Sequence, residues 1–235
     1  MLSLLFIVSL SCSVVYASVI VSNDFKNEHW VINTGYAEFA KKITLIPTSA
    51  TNTSKIIYYK TLPQLGYNTS TVYLYYDINV SWHSESSTDR TFELWLYDGT
   101  DDYFIGFNHY NDRYDFRFKV GTFNQYITLS GEMPYKGVIA IQNGKLAILY
   151  DDKGNRVTFI EYTSGSSEIK FTNWGFTSFK AITTINTYAL ATNLNDALLG
   201  KSTSETTTTV YAYLPLVIAI AMLGVAISFI KKYVK

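Results

Sequence analysis

Residues 71–82 read Thr71-Val72-Tyr73-Leu74-Tyr75-Tyr76-Asp77-Ile78-Asn79-Val80-Ser81-Trp82. Val72, Leu74, Tyr76, Ile78, Val80 and Trp82 fall on one side of an extended chain. Tyr73, Tyr75, Asp77, Asn79 and Ser81 fall on the other. A period of two with one apolar face predicts a half-buried antiparallel strand. The pattern recurs outward in both directions. Phe92, Leu94 and Leu96 alternate with Glu93, Trp95 and Tyr97; Tyr114, Phe116, Phe118 and Val120 alternate with Asp115, Arg117 and Lys119. The run Val138–Gln142 reaches Asn143-Gly144 and continues as Lys145–Tyr150. Asn-Gly between two such runs predicts a hairpin, because the favoured two-residue turn needs positive φ at both central positions. Asp98–Asp102 and Asp151–Asn155 read as further turns. About a dozen short strands with no convincing helix between residues 18 and 198 predict an all-β antiparallel sandwich or barrel.

The two ends differ from this middle. Leu2–Ala17 is an uncharged apolar run ending in Val15-Tyr16-Ala17, which fits a leader peptide cleaved after Ala17, residues 1–17. No Lys or Arg precedes it, so a short N-terminal anchor or a buried first strand stays open. Ser9-Leu10-Ser11-Cys12 weakly matches a lipoprotein cleavage site. Tyr211–Ile230 is a run of 20 residues without a charge. At ~1.5 Å per residue it spans about 30 Å, the thickness of a bilayer's hydrocarbon core. Tyr211 and Tyr213 suit the headgroup level at its outer end, and Lys231, Lys232 and Lys235 suit the cytoplasmic side. Residues 199–210 are rich in Ser and Thr and have no apolar face, as in an extended stalk, O-glycosylated or plain. The expected organisation is a leader (1–17), a β-sandwich outside the membrane (18–198), a stalk (199–210), a transmembrane helix (211–230) and a cytoplasmic basic tail (231–235). The expected location is a plasma membrane or a viral envelope.

Composition narrows function mostly by exclusion. The chain of 235 residues carries 19 Lys+Arg and 19 Asp+Glu, so it lacks the basic surplus that sequence-independent nucleic-acid binding requires. Without the three tail lysines the remainder is mildly acidic. The single cysteine, Cys12, lies in the expected leader, which leaves the mature chain without disulfides, cysteine ligands or a thiol nucleophile. His29, His83 and His109 have no ligand-like spacing. Asn52, Asn68 and Asn79 each open an N-x-[ST] sequon and are candidate glycosylation sites.

The order of features resembles the concanavalin A-like lectin/glucanase superfamily, especially its laminin-G-like members. The resemblance is carried by Asp24-Phe25, Trp30, Gly35-Tyr36-Ala37, Ile43–Leu45, Lys55–Pro63, the strand Leu74–Trp82, Phe92–Leu96, Asp102–Phe107, the hairpin through Gly144–Asp151, Ile169–Phe176 and a closing strand near Ala181–Ala191. It implies a jelly-roll of two antiparallel sheets, with termini close together and one concave sheet whose face and rim loops bind glycans. Low charge with abundant Tyr, Thr and Asn also resembles surface proteins of thermoacidophilic archaea.

Candidate ligand-binding residues follow from parity. Tyr73, Tyr75, Trp95 and Tyr97 point away from the core on two strands, with Asp77, Glu93 and Arg117 near them in pattern. Outward aromatics of this kind make a sugar platform or a protein contact surface, unless a second layer covers them. Retaining glycosidases of the superfamily cluster two glutamates and an aspartate on one strand, a pattern absent here. Asp77 beside Glu93 would be the remaining acid pair, and solvated outward carboxylates are the simpler account. No catalytic residue and no resident cofactor is assigned. Rim-loop carboxylates Asp98, Asp101 and Asp102, or Asn111, Asp112 and Asp115, offer oxygen ligands for calcium, although such residues also simply bend turns. The expected function is glycan or surface-partner binding by a membrane-anchored adhesion protein. The alternatives are a structural component of an archaeal surface layer, filament or viral envelope, and, less favoured, a glycoside hydrolase.

Overall fold

The computed structural model describes residues 19–48, 53–83, 89–163 and 169–200. The expected leader with Cys12, the sequon residue Asn52, residues 201–210 of the stalk, the span and the basic tail lie outside the described residues. Among the described residues no helix is long and apolar enough to cross a membrane.

Among the described residues fifteen strands form two antiparallel sheets. The first holds β1 (Val19–Ser22), β3 (Tyr36–Phe39), β4 (Ile43–Ile46), β6 (Val72–Trp82), β11 (Lys136–Gln142), β12 (Leu146–Tyr150), β13 (Arg156–Glu161) and β15 (Ala181–Ala191). Its order is β13-β12-β11-β6-β15-β4-β3, with β1 paired to β15. The second holds β2 (Trp30–Thr34), β5 (Thr53–Tyr58), β7 (Arg90–Tyr97), β8 (Asp102–Tyr110), β9 (Arg113–Val120), β10 (Phe123–Thr128) and β14 (Asn173–Phe179), in the order β10-β9-β8-β7-β14-β5-β2. The first and last strands are neighbours, so the two ends of the domain meet on one sheet.

The alternation on β6 predicts its packing correctly. Val72, Leu74, Tyr76 and Ile78 are fully enclosed and meet Phe92, Leu94, Phe107 and Phe116 of the second sheet in one inter-sheet core. Asn143 and Gly144 both take positive φ, 53° and 65°, at the expected hairpin between β11 and β12. Asn111 and Asp112 make the same kind of turn between β8 and β9, with φ of 48° and 59°.

One expectation fails: a seven-residue helix, α1 (Leu194–Gly200), follows β15, where the sequence pattern predicts no helix before the apolar run at 211–230. Its Ala197 and the side chains of Leu194 and Leu198 cover Tyr73, Tyr75, Val138, Ala140 and Ala189 on the outer face of the first sheet. Seven residues are too short for a periodicity to stand out in sequence. The outward tyrosines of β6 are therefore 8% and 5% exposed. Tyr73 takes a hydrogen bond from Gln142 Nε2 at 2.6 Å and packs against Tyr150.

The N-terminal end is pinned by Asp24. Its Oδ2 accepts from Tyr58 at 2.7 Å and lies 2.6 Å from His29 Nδ1; its backbone N–H and C=O both bond the Tyr188 hydroxyl at 2.9 Å. Burial opposes ionisation of Asp24, but the Tyr58 and His29 hydrogen bonds and the Lys26 N–H outweigh it and hold the carboxyl below its ordinary 3.8. A depressed carboxyl contributes stability above its ordinary pKa, and that stability is lost as pH falls through the depressed folded value. Asp24→Asn should therefore cost about 1.5–3 kcal/mol at neutral pH, the range for hydrogen bonds to a charged group, and less in acid. Thermal melts of both proteins from pH 7 to 2 check this; a deficit that does not shrink in acid contradicts it.

Candidate functional site

The outer face of the second sheet is bare of any helix among the described residues, and a groove of about 460 Å³ runs across it. Its floor is set by strand register. Gly106 on β8 pairs with Arg117 on β9 and with Glu93 on β7; Glu93 pairs with Thr177 on β14, which pairs with Lys55 on β5. These five positions form one row across the sheet. A second row, one pleat along, runs Lys119, Phe104, Trp95, Gly175 and Ile57.

Gly106 decides the first row. It presents no side chain between its neighbours, so Arg117 crosses it and its Nη1 reaches Glu93 Oε1 at 2.8 Å. Glu93 is 3% exposed, and its Oε2 accepts weakly from Thr91 and Thr177 at 3.4 Å each. Burial pushes the Glu93 carboxyl above its ordinary value; Arg117, the Thr91 hydrogen bond and Lys119 oppose that rise. Arg117 Nε donates to Asn124 Oδ1 at 3.0 Å, and its guanidinium lies 5.6 Å from the Tyr126 ring centroid.

Trp95 has the expected outward parity but no free face to offer. It is 4% exposed, Lys55 Nζ stands 3.7 Å from its ring centroid, Tyr97 stacks beside it and its Nε1 donates to Asp102 Oδ1. The aromatic side chain of this row that faces the groove is Phe104, with Lys119 Nζ at 5.7 Å and Lys55 Nζ at 6.0 Å from its ring centroid. At the opposite end the groove is lined by Asp89, Thr91 and Phe179.

The candidate residues thus divide between two faces. Glu93, Trp95, Tyr97 and Arg117 share the outer face of the second sheet. Tyr73, Tyr75 and Asp77 do not join them: β6 lies in the first sheet, so the same parity points them out of the opposite side of the sandwich, where α1 covers the tyrosines. Asp77 bonds Lys136 Nζ at 2.7 Å and accepts from Asn186 Nδ2 at 3.3 Å. The full thickness of the core separates it from Glu93, so the two carboxylates do not form the acid pair of the less favoured hydrolase alternative. Phe104, Lys55, Lys119 and Thr177 are the groove residues that the parity argument passed over. The signal for them was Gly106, since an isolated glycine inside a strand marks a close approach.

The loop carboxylates serve their own turns. Asp98 Oδ1 accepts from the N–H groups of Thr100 and Asp101 at 2.8 Å, and its Oδ2 accepts from Tyr103 at 3.0 Å. Asp102 is engaged by Trp95 and stands 3.8 Å from Lys55. Asp115 is held by Thr128 and Arg113. Among the described residues no group of three or more His, Cys, Asp and Glu side chains converges as a metal site. His29 bonds Asp24, and His109 stacks on Tyr114. The sequon residues Asn68 and Asn79 are both exposed, Asn79 on the outer face of the first sheet beside Thr184.

No family model matches the chain, and no curated protein matches it by sequence. Solved structures do resemble it. One is of botulinum neurotoxin type C, described as dependent on two ganglioside molecules to enter cells, with 11% identity and a TM-score of 0.53 over 78% of this chain and 50% of that one. The chain thus spans half the length of that neurotoxin chain. Others are a lectin from Bauhinia forficata in complex with GalNAc (11% identity, TM-score 0.49, 74% of this chain and 99% of that one) and the potassium-bound carbohydrate recognition domain of Emp46p (10% identity, TM-score 0.49, 76% and 98%). At 11% identity the likeness to the neurotoxin structure speaks for the fold alone, a sandwich of two antiparallel sheets.

Proposed function

We propose that this chain is a membrane-anchored recognition protein whose β-sandwich binds glycans outside the cell through the groove on its second sheet. The observation that carries the reading is the groove itself: an aromatic face, Phe104, beside hydroxyl and amide side chains of Asn33, Thr34, Thr53, Thr91 and Thr177. Sugar rings present exactly such needs, an apolar C–H face and a rim of hydroxyls, to the concave, mostly preformed sites that bind small ligands. The fold likeness to a neurotoxin whose cell entry is described as dependent on two ganglioside molecules supports the same reading. Glu93 is committed to its ion pair with Arg117, which favours binding over hydrolysis; loss of polysaccharide cleavage in Glu93→Gln, were any cleavage found, would reverse that preference. Residues 211–230 supply the anchor, the Ser/Thr stalk the spacer, and glycans on Asn68 and Asn79 would stand clear of the groove.

A glycan array probed with the purified full chain tests the site. Binding should be seen, and Phe104→Ala should weaken it about tenfold or more, the effect of losing roughly 1.4 kcal/mol of stacking and burial. An array without a single binder, or binding indifferent to Phe104, overturns the reading. For the anchor, a chain lacking residues 211–235 should no longer cosediment with vesicles; cosedimentation of that shortened chain refutes it.

A further inference from the structure

We infer that the groove selects glycans that carry a carboxylate or sulfate, with the anion seated over Phe104 between the ammonium groups of Lys55 and Lys119. This rests on the glycan reading above and sharpens it to an acidic-sugar site.

Charge is unevenly distributed along the groove. Lys55, Arg117 and Lys119 line it as cations, Asp89 and Glu93 as anions. Arg117 and Glu93 cancel as a contact pair on the floor. Asp89 lies at the far end, where it accepts from Asn108 Nδ2 at 3.2 Å. Lys55 has only a loose partner, Asp102 Oδ1 at 3.8 Å, and that oxygen is already taken by Trp95. Lys119 has no carboxylate within 4.0 Å among the described residues. The Phe104 end is therefore positive and the Asp89 end negative.

The two ammonium groups are also placed to act together. Both lie about 6 Å from one ring centroid, that of Phe104. An acidic sugar stacked on this ring would bring its anion into reach of both. The surrounding sheet, whose Trp95 and Glu93 are almost wholly buried, limits screening by water. Burial draws the Lys55 ammonium below its ordinary pKa, Asp102 opposing only in part, so an incoming anion would recover some of that loss. The placement is not what net charge would suggest, since the chain as a whole is neutral. Two cations concentrated at one end of a groove in such a chain point to a local anionic partner.

The test compares matched pairs on the full chain in detergent micelles: sialyllactose against lactose, a glucuronate disaccharide against its glucose counterpart, and a sulfated galactoside against its unsulfated parent. At least one acidic member should bind about tenfold more tightly than its neutral parent, as one charge-assisted hydrogen bond allows, and raising salt from 0.05 to 0.5 M, which shortens the Debye length to a few Å, should erase the difference. Lys119→Met keeps the apolar stem and should shrink the acidic-to-neutral ratio; Lys119→Glu should bring it to one or below. Melting curves for both variants confirm that they fold. The carboxylate and sulfate arms decide which anion is preferred. Equal binding of acidic and neutral members, or a ratio untouched in Lys119→Glu, overturns the selection while leaving a glycan site standing. No binding in any arm overturns the glycan reading, and this inference with it.

Discussion

Glu93→Ala is expected to destabilise the domain by about 3 kcal/mol, the lower end for removing one partner of a buried ion pair. The carboxyl is enclosed, and the Arg117 side chain that it neutralises is itself only 13% exposed. Without Glu93 the Arg117 charge is left with no carboxylate in contact among the described residues. Its relief is to turn toward the open groove, which is why the lower end of the range applies. Arg117→Met leaves the opposite orphan, and Glu93 can respond by taking up a proton. The two single variants should therefore differ in their pH dependence. The deficit of Arg117→Met should shrink toward acid, whereas that of Glu93→Ala should not. Glu93→Ala/Arg117→Met removes both charges and should be more stable than Glu93→Ala alone. Because burial raises the Glu93 pKa, the intact domain loses stability as pH rises from the ordinary 4.5 to the raised folded value, and Glu93→Gln abolishes that step. This is opposite in sign to Asp24, so the two carboxyls can be told apart in one titration. Single-variant deficits that are pH-independent and simply add in Glu93→Ala/Arg117→Met would mean that the pair contributes nothing.

Much of this architecture can be read from alternation. The period of two on β6, β7 and β9 places Val72, Phe92 and Phe116 in the core without reference to any structure, and Asn143-Gly144 locates a hairpin because its backbone demand is local. Alternation fixes which side of its own strand a residue occupies, but it carries no information on which sheet the strand joins. Tyr75 and Trp95 have the same parity and end on opposite outer surfaces, because β6 pairs with β11 and β15 while β7 pairs with β8 and β14. Cover is equally non-local. Leu194 and Leu198 lie more than 100 residues from the tyrosines they bury, in a helix of two turns. Lys55 over Trp95 is a contact between strands that meet only through β14. What converts a polar sheet face into a groove with a buried floor is a set of cross-strand rows, and rows exist only once register is known.

The second large effect is expected at Gly106, where sequence and site meet. Gly106→Ala would drive a Cβ into the Phe92 carbonyl oxygen and place it 2.7 Å from Glu93 Cα. Both obstacles are backbone of the neighbouring strand, so no rotamer change relieves them. Strands β7 and β8 would have to part where Phe92 pairs with Phe107 and Glu93 with Gly106. Overpacking of a close-packed interior costs about 1–3 kcal/mol when side chains can adjust, and here they cannot, so the upper end or beyond is expected. At about 2–4 °C per kcal/mol for a domain of this size, the melting temperature should fall by roughly 6–12 °C. Gly131 is the control: its Cβ would meet nothing within 4 Å and its φ is not positive. Gly131→Ala should be neutral or raise stability by about 0.4–1 kcal/mol through the unfolded chain. The same methyl in Gly106→Ala would stand in the lane by which Arg117 reaches Glu93, so whatever folds should also show weakened glycan binding and a larger share of Arg117 accessible to solvent. A Gly106→Ala protein that melts with the wild type would show that β7 and β8 do not approach so closely there, and the floor of the groove would have to be rebuilt without the Arg117–Glu93 pair.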